Sequence, residues 1–238
     1  MKQIVLAFLL LAGITVAHAE LTGNASLTTD YRFRGISQTQ NGSALQGGVD
    51  YTHASGFYAG NWNSNVSSLA YTDSNGLESD VYAGFKKEVI KGVTVDVGSY
   101  NYIYSRAGGK FNSNSNTNEA YVGVEVGPIS VKYSQSLGDY FGIAKSSNSK
   151  YVQADIKYPV AKNITADAHY GQTMITGNGK NDYTDINVGG TYALSKGFSV
   201  GAHYYTNSSF GSTAKATNTI SGQKLYKDAV VVSLSKSF

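Results

Sequence analysis

Three histidines are the first residues to consider for chemistry in this 238-residue chain, once its N-terminal leader is set aside: His53, His169 and His203. His169 and His203 stand in the same triplet, Ala-His-Tyr, at matching points of two similar segments. A metal site would need a third ligand, such as Asp167 or Asp185, at tetrahedral distance. Repetition of one structural unit explains the duplicated triplet more simply. We therefore expect no metal and no cofactor.

Other catalytic and ligand-binding patterns are equally weak. A serine–histidine dyad of the barrel phospholipase kind would need both side chains on the lipid-facing side, and His169 and His203 are predicted to face inward. Residues 73–78 lack the spacing of a calcium loop, and residues 177–181 lack the Ser or Thr of a phosphate loop. Residues 111–118 are rich in Asn and Ser, which favours a solvated loop. The sequence predicts no enzyme.

A larger set of chemically active residues consists of charged side chains that would share one wet face if the segments carrying them form a barrel. Mixed charges in a confined pore can select which ions pass. Alternatively, they pair with one another as salt bridges and plug the lumen. Arg32 and Arg34, two residues apart near the predicted outer mouth, are the candidates for attracting anions. The predicted pore-lining residues are Asp30, Arg32, Arg34, Asp50, Lys86, Glu125, Lys132, Asp155, Lys157, Asp167 and Asp185.

The elements that would position these residues recur with a period close to 36 residues. Each recurrence follows a short turn containing Gly, Pro or Asn, which is a hairpin signal. Longer polar connections lie between, near residues 36–43, 67–76, 106–116, 139–148, 175–181 and 209–227. Short turns alternating with long loops are typical of an outer-membrane barrel, so six hairpins predict an up-and-down antiparallel barrel of twelve transmembrane strands. The predicted hairpins begin at Leu21, Phe57, Val93, Ile129, Ile164 and Phe198.

Alternation of apolar and polar residues assigns the two faces of each strand. A Lys or Arg that faces lipid at mid-bilayer costs about 2–4 kcal/mol, so the charged face must line the lumen. In the first strand this rule turns Tyr31 and Phe33 outward together with Leu21 and Leu27. The third strand fits two registers. In one, Phe57 and Ala59 lie on the apolar outer face; in the other, Trp62 and Val66 do. The sequence leaves both open.

The last segment, residues 228–238, is predicted to close the barrel. Val230, Val232 and Leu234 share an apolar face, and the chain ends on Phe238, as outer-membrane barrels commonly do. We expect this strand to pair antiparallel with residues 21–34 and so remove the free edges of the sheet. Phe238 would anchor the barrel at the interface, and the strand would present the protein to the barrel-assembly machinery. Lys236 also faces outward, where its stem can lie along lipid while its ammonium reaches the headgroups.

The N-terminus and the composition set the compartment. Lys2, an apolar run over residues 4–16 and Ala17-His18-Ala19 describe a secretory signal peptide, so we place cleavage after Ala19 and the barrel domain at residues 20–238. Removal of Lys2 leaves 18 basic and 16 acidic residues, a net charge of +2 without the clusters of a nucleic-acid-binding surface. The absence of cysteine excludes a lipoprotein anchor and disulfides. A secreted β-sandwich is the alternative fold.

Residues 31–39, Tyr-Arg-Phe-Arg-Gly-Ile-Ser-Gln-Thr, followed by residues 44–51, Ala-Leu-Gln-Gly-Gly-Val-Asp-Tyr, resemble the TorF family of porin-like proteins. That family was long known only as Gly-Cys-Trp-type bacterial proteins of unknown function. Residues 56–66 and 80–85 fit as well, while Ser43 and Asn63 depart from the pattern. The resemblance implies an exported outer-membrane barrel with channel activity, and it brings no catalytic residues.

These observations predict a porin-like channel in the outer membrane of a Gram-negative bacterium, through which small polar or ionic solutes diffuse passively. Its partners would be outer-membrane lipid, the assembly machinery and those solutes. The alternative is a non-conducting structural or adhesive barrel that acts through its extracellular loops.

Overall fold

The computed structural model describes residues 19–67, 76–106, 114–208, 219–220 and 223–238. Twelve of its strands form one closed antiparallel barrel, in which each strand pairs with its neighbours along the chain and the last pairs with the first. The barrel strands are β1 Ala19–Thr28, β2 Ala44–His53, β3 Phe57–Asn65, β4 Leu77–Ile90, β5 Val93–Tyr104, β6 Thr117–Val126, β7 Ile129–Ser136, β8 Lys150–Ala161, β9 Ile164–Met174, β10 Tyr183–Ala193, β11 Phe198–Ser208 and β12 Ala229–Ser237.

Short elements complete the described chain. Two 3-10 helices span Gly179–Asn181 and Ser195–Gly197. Arg32–Phe33 pairs with Ile36–Ser37, and Thr219–Ile220 pairs with Gln223–Lys224. Within the described ranges, no helix has the length and apolar character needed to cross a membrane. Of the predicted signal peptide, residues 1–19, all but Ala19 lie outside the described residues, and Ala19 is the first residue of β1. Much of the predicted loops 67–76, 106–116 and 209–227 also lies outside the described residues.

The fold confirms the predicted class and strand number. Five of the six predicted hairpin starts are the first residues of β3, β5, β7, β9 and β11. The short turns before these strands meet at one end of the barrel, the turn end, and the long connections meet at the other, the loop end. Left-handed residues make the turns tight, as at Gly56 with φ 101° and Gly92 with φ 80°. Because the sheet closes on itself, the β-sandwich alternative is excluded.

The barrel wall has an apolar outer face and a polar inner face. Leu45, Val122 and Val230 are 69%, 44% and 66% exposed on the outside. The structure shows the register of β3 that the sequence left open. Phe57 is exposed on the outer face, and Trp62 points inward and packs against a buried cluster.

The same register places amide side chains on the outer face of the wall, beside the apolar ones. Asn61 Nδ2 donates to Ser79 Oγ at 3.2 Å and to the backbone oxygen of Asp80 at 2.8 Å. Asn63 Nδ2 donates to Asn61 Oδ1 at 2.5 Å. These bonds, to the neighbouring strand for Asn61 and within the strand for Asn63, give the outward amides partners that do not depend on water.

The chain terminus closes the barrel against β1. The Phe238 backbone N–H donates to Gly23 O at 3.0 Å, and the Gly23 N–H donates to Phe238 O at 2.7 Å. The Phe238 ring lies over Gly23, where a Cβ atom would stand 2.4 Å from the ring carbon Cε2. Lys236, also outward, donates from Nζ to Ser237 O at 2.8 Å and lies 5.2 Å from the Phe198 ring centroid.

The predicted course of the first strand beyond residue 28 is wrong. β1 ends at Thr28 and pairs with β12 over residues 24–28 only. The chain then turns into the barrel and forms a two-residue hairpin turn at Arg34 and Gly35, whose φ angles are 47° and 75°. Residues 32–37 are called the inner hairpin below. A hairpin arm alternates as a barrel strand does, so alternation alone could not separate the two.

Tyr31 and Phe33 consequently lie inside the barrel and not against lipid. Tyr31 is 8% exposed, and its ring meets the Trp62 ring edge-on with the centroids 5.3 Å apart. The Phe33 ring contacts Tyr102 and Phe141 in the same way, at 5.3 and 5.5 Å. Aromatic packing therefore holds the inner hairpin within the lumen.

Candidate functional site

The tip of the inner hairpin is bound to the barrel wall through Arg34. Its guanidinium donates from Nη1 to Glu119 Oε1 at 2.9 Å and from Nη2 to Glu119 Oε2 at 2.7 Å, which is the bidentate geometry of a strong ion pair. Nη1 also donates to Tyr140 Oη at 2.8 Å, and the guanidinium carbon lies 4.0 Å from the Tyr151 ring centroid. Burial opposes the charge, yet attraction by Glu119 raises the pKa of Arg34 well above its usual value.

The opposite side of the tip contacts the far wall. Gly35 O accepts a hydrogen bond from Asn207 Nδ2 at 3.0 Å, and a Cβ atom at Gly35 would stand 2.7 Å from Asp185 Cβ. Glu119 lies on β6 and Asn207 on β11, five strands apart in a ring of twelve. The inner hairpin therefore spans the lumen from one wall to nearly the opposite one.

Arg32 secures the base of the inner hairpin. Its Nε donates to Asp30 Oδ2 at 2.6 Å, and its Nη1 donates to the backbone oxygen of Lys227 at 2.8 Å. Asp30 Oδ1 accepts a further bond from Ser37 Oγ at 2.6 Å. Asp30, Arg32 and Arg34 thus belong to the lumen, but on the inner hairpin and its base, not on a barrel strand. Each guanidinium faces a carboxylate, which is the arrangement expected of salt bridges that plug the lumen.

Buried side chains fill the loop-end half of the described lumen. Tyr104 is 0% exposed and donates to Glu78 Oε1 at 2.9 Å, and Phe141 packs against Tyr102 and Tyr140 with ring centroids about 5 Å apart. Sequence reasoning missed this packing and the partner of Arg34. Extending the alternation of the sixth strand two residues back from Tyr121 would have placed Glu119 on the inner face.

The two lumen histidines are held by carboxylates. His169 Nδ1 lies 2.6 Å from Asp155 Oδ1, and His169 Nε2 lies 3.1 Å from Asp185 Oδ1 and 2.9 Å from Tyr151 Oη. His203 Nε2 lies 2.9 Å from Asp167 Oδ1. Among the described residues, no group of three or more His, Cys, Asp and Glu side chains has an arrangement that could hold a metal ion. These contacts join β8, β9, β10 and β11 across the inner face.

The remaining predicted pore-lining residues also face inward, toward the turn end. Lys86 Nζ and Glu125 Oε1 form an ion pair at 2.7 Å, with both side chains more than 40% exposed. Asp50 accepts a hydrogen bond from Tyr82 Oη at 2.5 Å. Lys132 and Lys157 form no hydrogen bond and no ion pair with any described residue. Lys132 Nζ lies over the Tyr121 ring, 5.3 Å from its centroid.

Several cavities that share lining residues lie in the described lumen. A cavity of about 420 Å³ lies against the inner hairpin, and one of about 500 Å³ lies toward the turn end. Tyr82, Tyr100, Tyr121 and Lys132 line both. Lys132 also lines a third cavity of about 110 Å³ beside Asp155. The arrangement can admit water and small solutes from the turn end up to the inner hairpin.

Comparisons with known proteins agree with this architecture. A family profile described as "Bacterial protein of unknown function (Gcw_chp)" matches residues 13–238, which confirms the resemblance seen in residues 31–85. A search of curated proteins found no match. Among solved structures, a KdgM porin is similar with a TM-score of 0.58 and 11% identity, over 91% of this chain and 99% of that one. A NanC porin is similar with a TM-score of 0.57 and 11% identity, over 92% and 99%. Likeness at this identity shows the barrel fold.

Proposed function

This chain belongs to the Gcw_chp family of bacterial proteins, and we propose that it is an outer-membrane channel for passive diffusion of small polar or ionic solutes. One observation carries the proposal: cavities lined by tyrosine and charged side chains lie between the turn end and the inner hairpin, inside a wall whose outer face is apolar. Such a wall suits lipid outside and water inside. A solute would cross down its gradient, with no covalent step and no cofactor.

The proposed route has a wide part and a narrow part. On the assignment of short turns to the periplasm, the two larger cavities open toward the periplasm and the inner hairpin narrows the extracellular half. The inner hairpin is joined to the wall by side-chain contacts and can move without unpairing any barrel strand. We propose that it sets the conductance of the channel.

Localisation follows from the same proposal. Residues 1–19 would direct export and be cleaved after Ala19, and the assembly machinery would engage the C-terminal strand that ends at Phe238. Intact mass measurement of protein purified from the outer membrane tests the first step, since the mature chain should begin at Glu20. The KdgM porin has a structure described as a complex with disordered oligogalacturonate, which supports a solute path through a barrel of this kind.

A second candidate function is favoured by the packed loop end. If the inner hairpin never moves, the protein is a non-conducting structural or adhesive barrel that acts through its extracellular loops. The buried ion pair between Arg34 and Glu119 is the observation that supports this candidate.

Planar-bilayer recording distinguishes the two functions. Protein refolded in detergent and inserted into a bilayer should give unitary currents in KCl. A variant in which the inner hairpin has lost its contacts with the barrel wall should give larger unitary currents. A heat-denatured sample is the control for detergent leaks. Folded protein that passes no current, with or without the inner hairpin contacts, would reject the channel in favour of the non-conducting barrel.

A further inference from the structure

A buried carboxylate in the lumen has one oxygen without a partner in the described chain. Asp80, on the inner face of β4, is 2% exposed; its carboxylate is hydrogen-bonded to the Tyr100 side chain, but its Oδ1 atom has no hydrogen-bond partner. Its side chain forms no ion pair with any described cation, since those of Arg32, Arg34 and Lys86 are made with other acids. Burial of a carboxylate without a counter-charge is strongly unfavourable. A site that keeps one is arranged for a cation or a proton from outside the chain.

Aromatic rings flank this carboxylate on both sides. In the sheet register Asp80 lies directly opposite Trp62 on β3 and Tyr102 on β5. The Cβ atoms of both aromatic residues are therefore about 4.5–5.5 Å from the Asp80 Cβ atom. Two residues further along β4, Tyr82 stacks on Tyr100 with an interplanar angle of 8° and ring centroids 4.9 Å apart. A carboxylate without a counter-charge and several aromatic faces are thus concentrated on one patch of wall.

The patch opens into the cavity of about 420 Å³ beneath the inner hairpin. Asp80, Trp62, Tyr82, Tyr100 and Tyr102 all line that cavity. Tyr31, the residue just before the inner hairpin, lies against the patch with its ring edge-on to Trp62. The volume suits a small organic molecule. A ligand that reached this point would meet a carboxylate and π faces together.

We propose that Asp80 and the surrounding rings bind the ammonium group of a small organic cation, a primary or methylated amine. The inference rests on the proposed channel function, in which this cation is a solute in transit. The carboxylate supplies the opposite charge, and the faces of Trp62, Tyr82 and Tyr100 supply cation–π attraction, which is largest where the cation is desolvated. An anion would instead meet the Asp80 carboxylate at close range and be repelled. The Asp80 pocket is therefore a selectivity site for organic cations.

The chain carries its own reporter, because Trp62 is its single tryptophan. Detergent-folded full-length barrel is titrated with tetramethylammonium chloride at constant ionic strength in KCl, and Trp62 emission is followed. The uncharged tert-butyl alcohol has a similar shape and serves as the ligand control. We expect a saturable change with tetramethylammonium and none with the alcohol. Folded wild-type protein that shows no saturable change would overturn the proposal.

Two variants and one control locate the binding. Asp80→Asn keeps the shape and removes the charge, and it should weaken binding about tenfold or more, since a charged partner is lost. Glu88→Gln removes one negative charge on the same strand at the turn end and should bind as wild type does. Unchanged affinity in Asp80→Asn would overturn the proposal. The mobility of unheated protein on an SDS gel reports whether each variant is folded. If Asp80→Asn does not fold, Tyr100→Leu is used instead, and its affinity for tetramethylammonium should fall about fivefold. Unchanged affinity in Tyr100→Leu would then overturn the proposal.

The binding test is independent of the conductance test. Unitary currents in KCl without tetramethylammonium binding would reject the Asp80 pocket as a cation site and leave the channel standing. Binding at Trp62 in a barrel that passes no current would reject the channel and leave the cation site standing.

Discussion

Arg34 at the tip of the inner hairpin and Glu119 on β6 are joined by two parallel hydrogen bonds of 2.9 and 2.7 Å. These residues lie 85 positions apart in the chain, and both side chains are almost fully buried. The pair links the inner hairpin, which is the proposed constriction, to the barrel wall, so it is the contact through which the proposed conductance could be altered with the strands left in place. The first prediction acts on this contact.

Glu119→Gln should enlarge the unitary conductance or lengthen the open time. Removing one member of a buried ion pair leaves the other charge uncompensated, at a cost of about 3–5 kcal/mol, and the inner hairpin should leave its bound position more often. Glu125→Gln is the matched control, because Glu125 lies on the same strand in an exposed pair with Lys86, where such pairs contribute about 0–1 kcal/mol. Equal single-channel traces from both variants would contradict the constriction role.

Gly35→Ala should loosen the inner hairpin from within. Gly35 has a φ of 75°, and an added Cβ would stand 2.7 Å from Asp185 Cβ. The left-handed conformation costs a non-glycine residue about 1–2 kcal/mol, and the close contact adds to it. The change in conductance should run in the same direction as that of Glu119→Gln. Gly92→Ala is the control and should leave the conductance unchanged, because φ is also positive there but nothing lies within 4 Å of the added atom. A larger change in conductance in Gly92→Ala than in Gly35→Ala would contradict a role of Gly35 in holding the inner hairpin.

Lys132→Gln should shift ion preference toward cations. Lys132 lines three cavities and has no acidic partner among the described residues, so its charge acts on ions in the lumen. The reversal potential in a KCl gradient measures the shift. Lys91→Gln, which removes a charge from an exposed turn, is the control. If both variants reverse at the wild-type potential, Lys132 has no part in selectivity.

Phe238→Ala should reduce the amount of folded protein in the outer membrane several-fold. Its backbone bonds to Gly23 remain, so the barrel can still close, but the ring that covers Gly23 and the terminal aromatic group offered to the assembly machinery are lost. Outer-membrane fractions run unheated on an SDS gel separate folded from unfolded chains. Phe198→Ala removes an exposed aromatic ring from the same end of the neighbouring strand and controls for loss of lipid contact. If Phe238→Ala reached wild-type levels of folded protein, the terminal ring would not be part of the assembly signal.

Local signals were sufficient for the strands. The starts at Phe57, Val93, Ile129, Ile164 and Phe198 were all readable, because each follows a short turn whose Gly, Pro or Asn is visible in the sequence. Alternation then assigned the faces of strands such as β8, where polar and apolar residues keep strict order. It was indecisive in β3, where Phe57, Asn61 and Asn63 share the outer face and Trp62 lies inside.

Local signals misplaced the segment after Thr28. Asp30, Arg32 and Arg34 alternate with Tyr31 and Phe33 as a strand would, and nothing nearby shows that the chain has left the wall. The polarity of the lumen could be predicted, since the charged residues of β2, β4 and β6 to β10 needed a wet face. Which charges are neutralised could not, because Glu119 is brought to Arg34 only when the barrel closes.

By itself, the sequence determined that this chain forms six hairpins with one apolar and one polar face, which is a matter of local periodicity and turn chemistry. Only the tertiary structure decided what occupies the lumen. Barrel closure brings residues from distant strands to one axis, and there the inner hairpin, the Arg34–Glu119 pair and the carboxylate of Asp80 meet. Those contacts depend on distances through space, so spacing along the chain carries no record of them.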